Sequence, residues 1–155
     1  MNSINKNKAA AWFAIAVLFL IADRLLKSLA SAGFWREPFS LVGDLFSLNF
    51  FKNYYIAFSI SWIKDPFLSL LILFIIIGLI YCLIYLYKKN SPVEEMGLLL
   101  FLTLGAISNF FDRVKWGYVI DYFDLKYFTV FNIADIMIVL GAGGLIWLRV
   151  IKNTK

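Results

Sequence analysis

Residues 66–87 contain no charged side chain and consist almost entirely of Leu, Ile, Phe and Tyr. As a helix, about 22 such residues reach about 33 Å, enough to cross a hydrocarbon core of about 30 Å. Such a segment restricts the rest of the chain to architectures built in a bilayer. The composition agrees: 62% of the 155 residues are hydrophobic, too many for a soluble domain of this length, which needs a polar surface.

Three further stretches read as spans, each with a polar end. Residues 9–22 are uncharged but reach only about 21 Å as a helix. To cross, that helix must continue past Asp23, Arg24 and Lys27 to about residue 30. The third span, about 93–113, loses its apolar character at Phe111, which puts Asn109, Asp112 and Arg113 near a boundary. The fourth, about 131–151, carries Asn132 and Asp135 in its first turns. Charges at these depths should face protein or water, not lipid. Ser91 and Glu94 have capping-box spacing ahead of the third span, with Pro92 suited to a first helical position. An alternative for the start of the chain is a cleaved signal peptide with Ala30-Ser31-Ala32 as its A-x-A site, although three charges separate that site from the apolar core.

Residues 33–65 differ in character. Gly33, Pro38 and Gly43 punctuate them, and residues 45–51 alternate in the manner of a strand with aromatics. The expected fold is therefore an all-α membrane protein, one domain over 1–155. It has four transmembrane helices and a small extracytoplasmic β platform between the first and second.

The formal charge is +5, but the basic residues are not gathered on one face, so they point to topology and not to nucleic acid. Four spans put both ends on one side. Lys6, Lys8, Lys88, Lys89, Arg149, Lys152 and Lys155 crowd the short segments of that side, which favours cytoplasmic N and C termini. Asp23, Asp112 and Asp135 then lie at one outer depth, on three helices, as a polar site inside the bundle.

Histidine is absent. That excludes Ser-His-Asp and Cys-His catalysis, HExxH zinc chemistry and histidine proton relays. The lone cysteine, Cys82, allows no intrachain disulfide and sits in an apolar run, lipid-facing or packed. Hydrolysis would have to use carboxylates or a Ser-Lys pair. Asp121, in the loop 114–130, and Asp135 lie close enough in sequence for a fold-back to bring them face to face. Two such carboxylates share a proton: one takes a proton from water while the other donates to a peptide carbonyl, with no metal or cofactor. Taken singly, Asp135 is also a favourable residue for a helix N-terminus and Asp121 an ordinary loop acid.

Five motifs in order and spacing resemble the lipoprotein signal peptidase (signal peptidase II) family along nearly the whole chain. Asp23-Arg24-Leu25-Leu26-Lys27 is similar to the family's D-[QR]-x-x-K, and Asn53 through Ala57-Phe58-Ser59 to N-x-G-A-A-F-S. The stretch from Gly105 to Arg113 resembles G-A-L-G-N-x-x-D-R. Val119-Ile120-Asp121-Tyr122 resembles V-[VI]-D-F, and Phe131-Asn132-Ile133-Ala134-Asp135 resembles F-N-x-A-D. The resemblance implies an aspartyl endopeptidase of the bacterial cytoplasmic membrane that acts near the outer face. It removes the signal peptide of a lipid-modified prolipoprotein before the diacylglyceryl cysteine, in contact with membrane lipids, and is blocked by a cyclic peptide inhibitor of the globomycin type. By that resemblance Asp121 and Asp135 are catalytic, and Asp23, Lys27, Asn53, Asn109, Asp112, Arg113 and Asn132 bind substrate or support the site. Arg113 would hold Asp112 or bind a substrate carbonyl. The chain departs from the family pattern at Tyr55, Ile56, Ser108 and Ile136, which bears on substrate preference.

Two other functions fit parts of the sequence. One is a Ser-Lys peptidase using Ser59 with Lys27 or Lys52. The other is a small transporter or channel subunit whose acids form an ion path, although the acids crowd one boundary instead of threading the membrane.

Overall fold

The computed structural model describes residues 3–35, 37–54 and 65–154. Four helices, α1 (Ser3–Ser31), α2 (Asp65–Lys88), α3 (Val93–Trp116) and α4 (Ile133–Asn153), are long and apolar enough to cross a membrane. Helix α3 packs against α1, α2 and α4. Its approach to α4 is set by small residues: a Cβ on Gly105 would stand 2.6 Å from the carbonyl oxygen of Ala134, and one on Gly141 would stand 2.7 Å from the amide of Leu102. Close backbone approach of this kind replaces the hydrophobic drive that lipid does not supply.

The helices begin and end somewhat apart from the sequence expectation. Helix α1 starts at Ser3, so the basic start is helical. Helix α3 continues to Trp116 and stops at Gly117, whose left-handed backbone (φ 76°) lets its amide bond the Arg113 carbonyl. The Ser91–Glu94 capping box does not form. Pro92 is the N-cap of α3 with no side-chain cap, and Glu94 instead accepts from Lys8 at 3.0 Å. Cys82 is exposed on α2.

The platform is larger than expected, because the loop 114–130 contributes half of it. Strands β1 (Phe39–Val42), β2 (Phe46–Asn53), β3 (Val119–Leu125) and β4 (Thr129–Phe131) form one antiparallel sheet in that order. The apolar, β-branched and aromatic run 118–123 has strand character that a loop would waste. Tyr127, with φ 73°, makes the turn between β3 and β4. Beneath the sheet, Ala30, Ile120 and Tyr122 form a buried cluster, with Leu26, Trp35, Leu48 and Phe50 packed on it. A second cluster, Ala16, Phe101 and Met137, ties α1, α3 and α4 together deeper in the bundle.

Candidate active site

The site lies where the sheet meets the ends of α1 and α3 and the start of α4. Asp121 is carried by β3, not by a loop, and is almost fully buried. The β3–β4 hairpin returns the chain so that Asn132 becomes the N-cap of α4 and Asp135 its third residue. Asn132 Oδ1 accepts from the Asp135 amide at 2.9 Å, and the Asn132 amide donates to Asp135 Oδ2 at 3.1 Å. This is a reciprocal capping box, and it fixes the side chain of Asp135.

The same asparagine reaches the other acid. With its Oδ1 occupied, Asn132 turns its Nδ2 to Asp121 Oδ1 at 2.6 Å and Asn109 Oδ1 at 3.2 Å. Asn109 is oriented by Lys27, which has only donors and gives one to Asn109 Oδ1 at 2.9 Å. Asn109 Nδ2 is thereby directed to Asp135 Oδ1 at 2.8 Å. Asn53, on the neighbouring strand, donates to Asp121 Oδ2 at 2.8 Å. Three asparagines thus hold the two carboxylates, with one donor on each carboxylate oxygen and lone pairs left over.

Beside this pair lies a buried charge cluster. Asp23, Lys27 and Asp112 are fully buried. Lys27 Nζ lies 3.0 Å from Asp23 and 2.8 Å from Asp112, which with Asn109 uses all three of its N–H bonds. Arg24 pairs with the other oxygen of Asp112 at 2.6 Å. The two anions and two cations balance in formal charge, so each buried charge of the cluster has an opposite partner. Among the described residues, no buried side-chain nitrogen or oxygen lacks a hydrogen-bond partner.

Asp121 titrates unusually. Burial pushes its carboxyl up to about 7, with the charge of Asp135 adding to the rise, while the hydrogen bonds from Asn53 and Asn132 and the charge of Lys27 oppose it. A carboxyl raised this far is still able to hold a proton near neutral pH, the state in which it can donate.

Of the residues singled out from sequence, Asp23, Lys27, Asn53, Asn109, Asp112, Asp121, Asn132 and Asp135 fall in one hydrogen-bonded network. Arg113 is half-buried at the same end of α3, but Asp112 is held by Arg24 and Lys27. Tyr55, Ile56, Ala57 and Ser59 lie outside the described residues. Of the two lysines named with Ser59, Lys27 has every N–H engaged, and Lys52 is exposed over the Tyr118 ring. Two members of the network had no role assigned from sequence, Ser108 and Tyr122, while Arg24, a charge expected beside these acids, finds its partner in Asp112. Tyr122 stands where the resembling motif has phenylalanine, so the resemblance offered it no role. The signal was its hydroxyl, which in an apolar strand must find a buried partner.

A family model described as "Signal peptidase (SPase) II" matches residues 15–151. A "Lipoprotein signal peptidase" of Caldicellulosiruptor bescii is 35% identical over 130 residues, covering 84% of this chain and 83% of that protein. One of the same name from Clostridium novyi is 34% identical over 137 residues, covering 82% of this chain and 88% of the relative. Among solved structures, a bacterial membrane enzyme determined by the in meso method is similar with a TM-score of 0.76 at 26% identity, over 94% of this chain and 90% of the other.

Proposed function

The chain belongs to the signal peptidase II family, multi-pass bacterial membrane peptidases that remove signal peptides from prolipoproteins, and on that premise we propose that it is an aspartic endopeptidase with Asp121 and Asp135 as its reacting pair. The observation that carries this reading is the asparagine bridge. Asn132 binds both acids and so ties the position of one carboxyl to that of the other.

Asp121 is the member that keeps the proton and donates it to the scissile carbonyl oxygen. Asp135, ionised, takes a proton from the attacking water. The tetrahedral intermediate then collapses as the proton on Asp135 passes to the leaving amide nitrogen, and Asp121 regains its own. Both acids and the water's two hydrogens are accounted for within the pair. Asn109 and Asn53 keep their carboxylates aimed and have amide groups suited to orienting an extended peptide. Lys27, Asp23 and Asp112 hold Asn109 and the helix ends in place, and Arg113 lies at the same level to contact the substrate backbone.

The cleaved bond precedes the diacylglyceryl-modified cysteine. The lipid chains of that residue remain among bilayer lipids while the peptide lies against the face of β3 that carries Asp121. The N and C termini are cytoplasmic, from the lysine density near them, and the site opens toward the outer face. A cyclic peptide inhibitor of the globomycin type occupies the same site. Purified protein incubated with a diacylglyceryl-modified prolipoprotein tests the reading: wild type releases the signal peptide, and Asp121→Asn and Asp135→Asn do not. Near-normal release by either variant contradicts it.

A further inference from the structure

The carboxylate of Asp23 accepts four hydrogen bonds. Lys27 of α1 and the Ser108 hydroxyl of α3 reach Oδ2, at 3.0 and 2.6 Å. The Tyr122 hydroxyl of β3 and the Ala134 amide of α4 reach Oδ1, at 3.0 and 3.2 Å. Four donors saturate a carboxylate, and here each comes from a different element. Asp23 therefore has no lone pair for a reacting molecule, and the question becomes what its donors hold.

Tyr122 answers part of it. Its hydroxyl, fully buried, donates to Asp23 and accepts from the Ile133 amide at 2.9 Å. Ile133 and Ala134 are the first two residues of α4, whose amides a helix leaves without internal partners. Tyr122 and Asp23 take both, and Asn132 takes the third through the capping box. The residue next to Asp121 in β3 is thus bonded directly to the helix start that carries Asp135. Ser108 completes the tie from the other side: it anchors Asp23, accepts from Arg24 at 3.3 Å, and immediately precedes Asn109, which holds Asp135.

We infer that Tyr122 and Ser108 are positioning residues: acting through Asp23, their hydroxyls set where Asp135 stands relative to Asp121. The inference rests on the dyad reading above. Removing either hydroxyl frees the start of α4 to shift and misaligns the pair without altering the surface that a substrate meets.

The test uses Tyr122→Phe, which keeps the ring contacts with Trp35 and Phe123, and Ser108→Ala, with Asp135→Asn alongside. Each is purified in detergent, checked for folding by thermal melting, and assayed on a lipid-modified prolipoprotein for kcat and KM. Tyr122→Phe is expected to lower kcat by roughly ten- to a hundredfold, and Ser108→Ala by roughly three- to tenfold, with KM within about twofold of wild type. A folded variant with wild-type kcat, or one in which KM rises and kcat holds, overturns the assignment of that residue. A loss of activity that follows the folded fraction overturns it too. If Tyr122→Phe does not fold, Ser108→Ala decides. Turnover by Asp135→Asn near the wild-type rate defeats the dyad itself, an outcome separate from any of these.

Discussion

Asn53 donates to Asp121 across the β2–β3 ladder because β2 carries one residue more than β3 between Leu48 and Phe51. Leu48 stands opposite Phe123, yet Phe51, three residues on, stands opposite Asp121, only two residues back. Without that extra residue, Phe50 would oppose Asp121, and Lys52 would share its face. The bulge reverses the parity of the strand, turns Lys52 out to solvent and brings Asn53 in.

Loss of the Asn53 amide should therefore act on the proton of Asp121. That hydrogen bond favours the ionised carboxylate, so Asn53→Leu raises the pKa of Asp121 further. The alkaline limb of the rate profile moves to higher pH, while the maximal rate falls by roughly tenfold as Asp121 becomes a weaker acid. A pH–rate profile on a lipid-modified substrate reads both effects.

The two carboxyls themselves carry the largest effect. Asp121→Asn and Asp135→Asn should each lower turnover by at least about 10²- to 10⁴-fold, with melting temperatures close to wild type or above. Because the pair supplies both acid and base, addition of EDTA to the wild-type assay is expected to leave the rate unchanged.

The pH dependence of stability has a definite sign. Asp121 holds its proton to about pH 7 in the folded protein and gives it up near its ordinary value of 3.8 when unfolded. The folded state binds more protons through that interval, so stability falls as pH rises from about 4 to about 7. Thermal melts across that range should show the decline, and Asp121→Asn should flatten it.

Removing the buried ammonium should be costly. Lys27→Met leaves Asp23 and Asp112 facing each other without their shared cation, a loss of about 3–5 kcal/mol in a fully buried pair. Adding Asp112→Asn to that variant removes one of the two charges and should recover part of the melting temperature.

Gly105 offers a test from the helix interface. A side chain there meets the carbonyl of Ala134 at 2.6 Å and the Cβ of Met137 at 3.0 Å, so Gly105→Val must push α4 away from α3. The carbonyl belongs to the residue before Asp135, and both thermal stability and cleavage should fall together in that variant.

Much of this protein was legible in its residues. An uncharged run such as 66–87 has only a bilayer as its solvent, and the polar ends of the other spans mark one depth for Asp23, Asp112 and Asp135. The relation of Asn132 to Asp135 was visible as i, i+3 spacing, because a helix turn is a local repeat. Arg24 was placed beside the cluster, but nothing nearby in sequence says which acid it pairs with: that acid, Asp112, lies on another helix.

Hydropathy and short spacings, being properties of neighbouring residues, determined the spans, their polar ends and the candidate acids. The tertiary structure decided which groups meet. A single bulged residue chose Asn53 over Lys52, a hairpin in place of a loop carried Asp135 back to Asp121, and Asp23 gathered donors from four elements. Each of these depends on strand parity or on contacts between residues far apart in the chain, and neither leaves a periodic trace in the order of the amino acids.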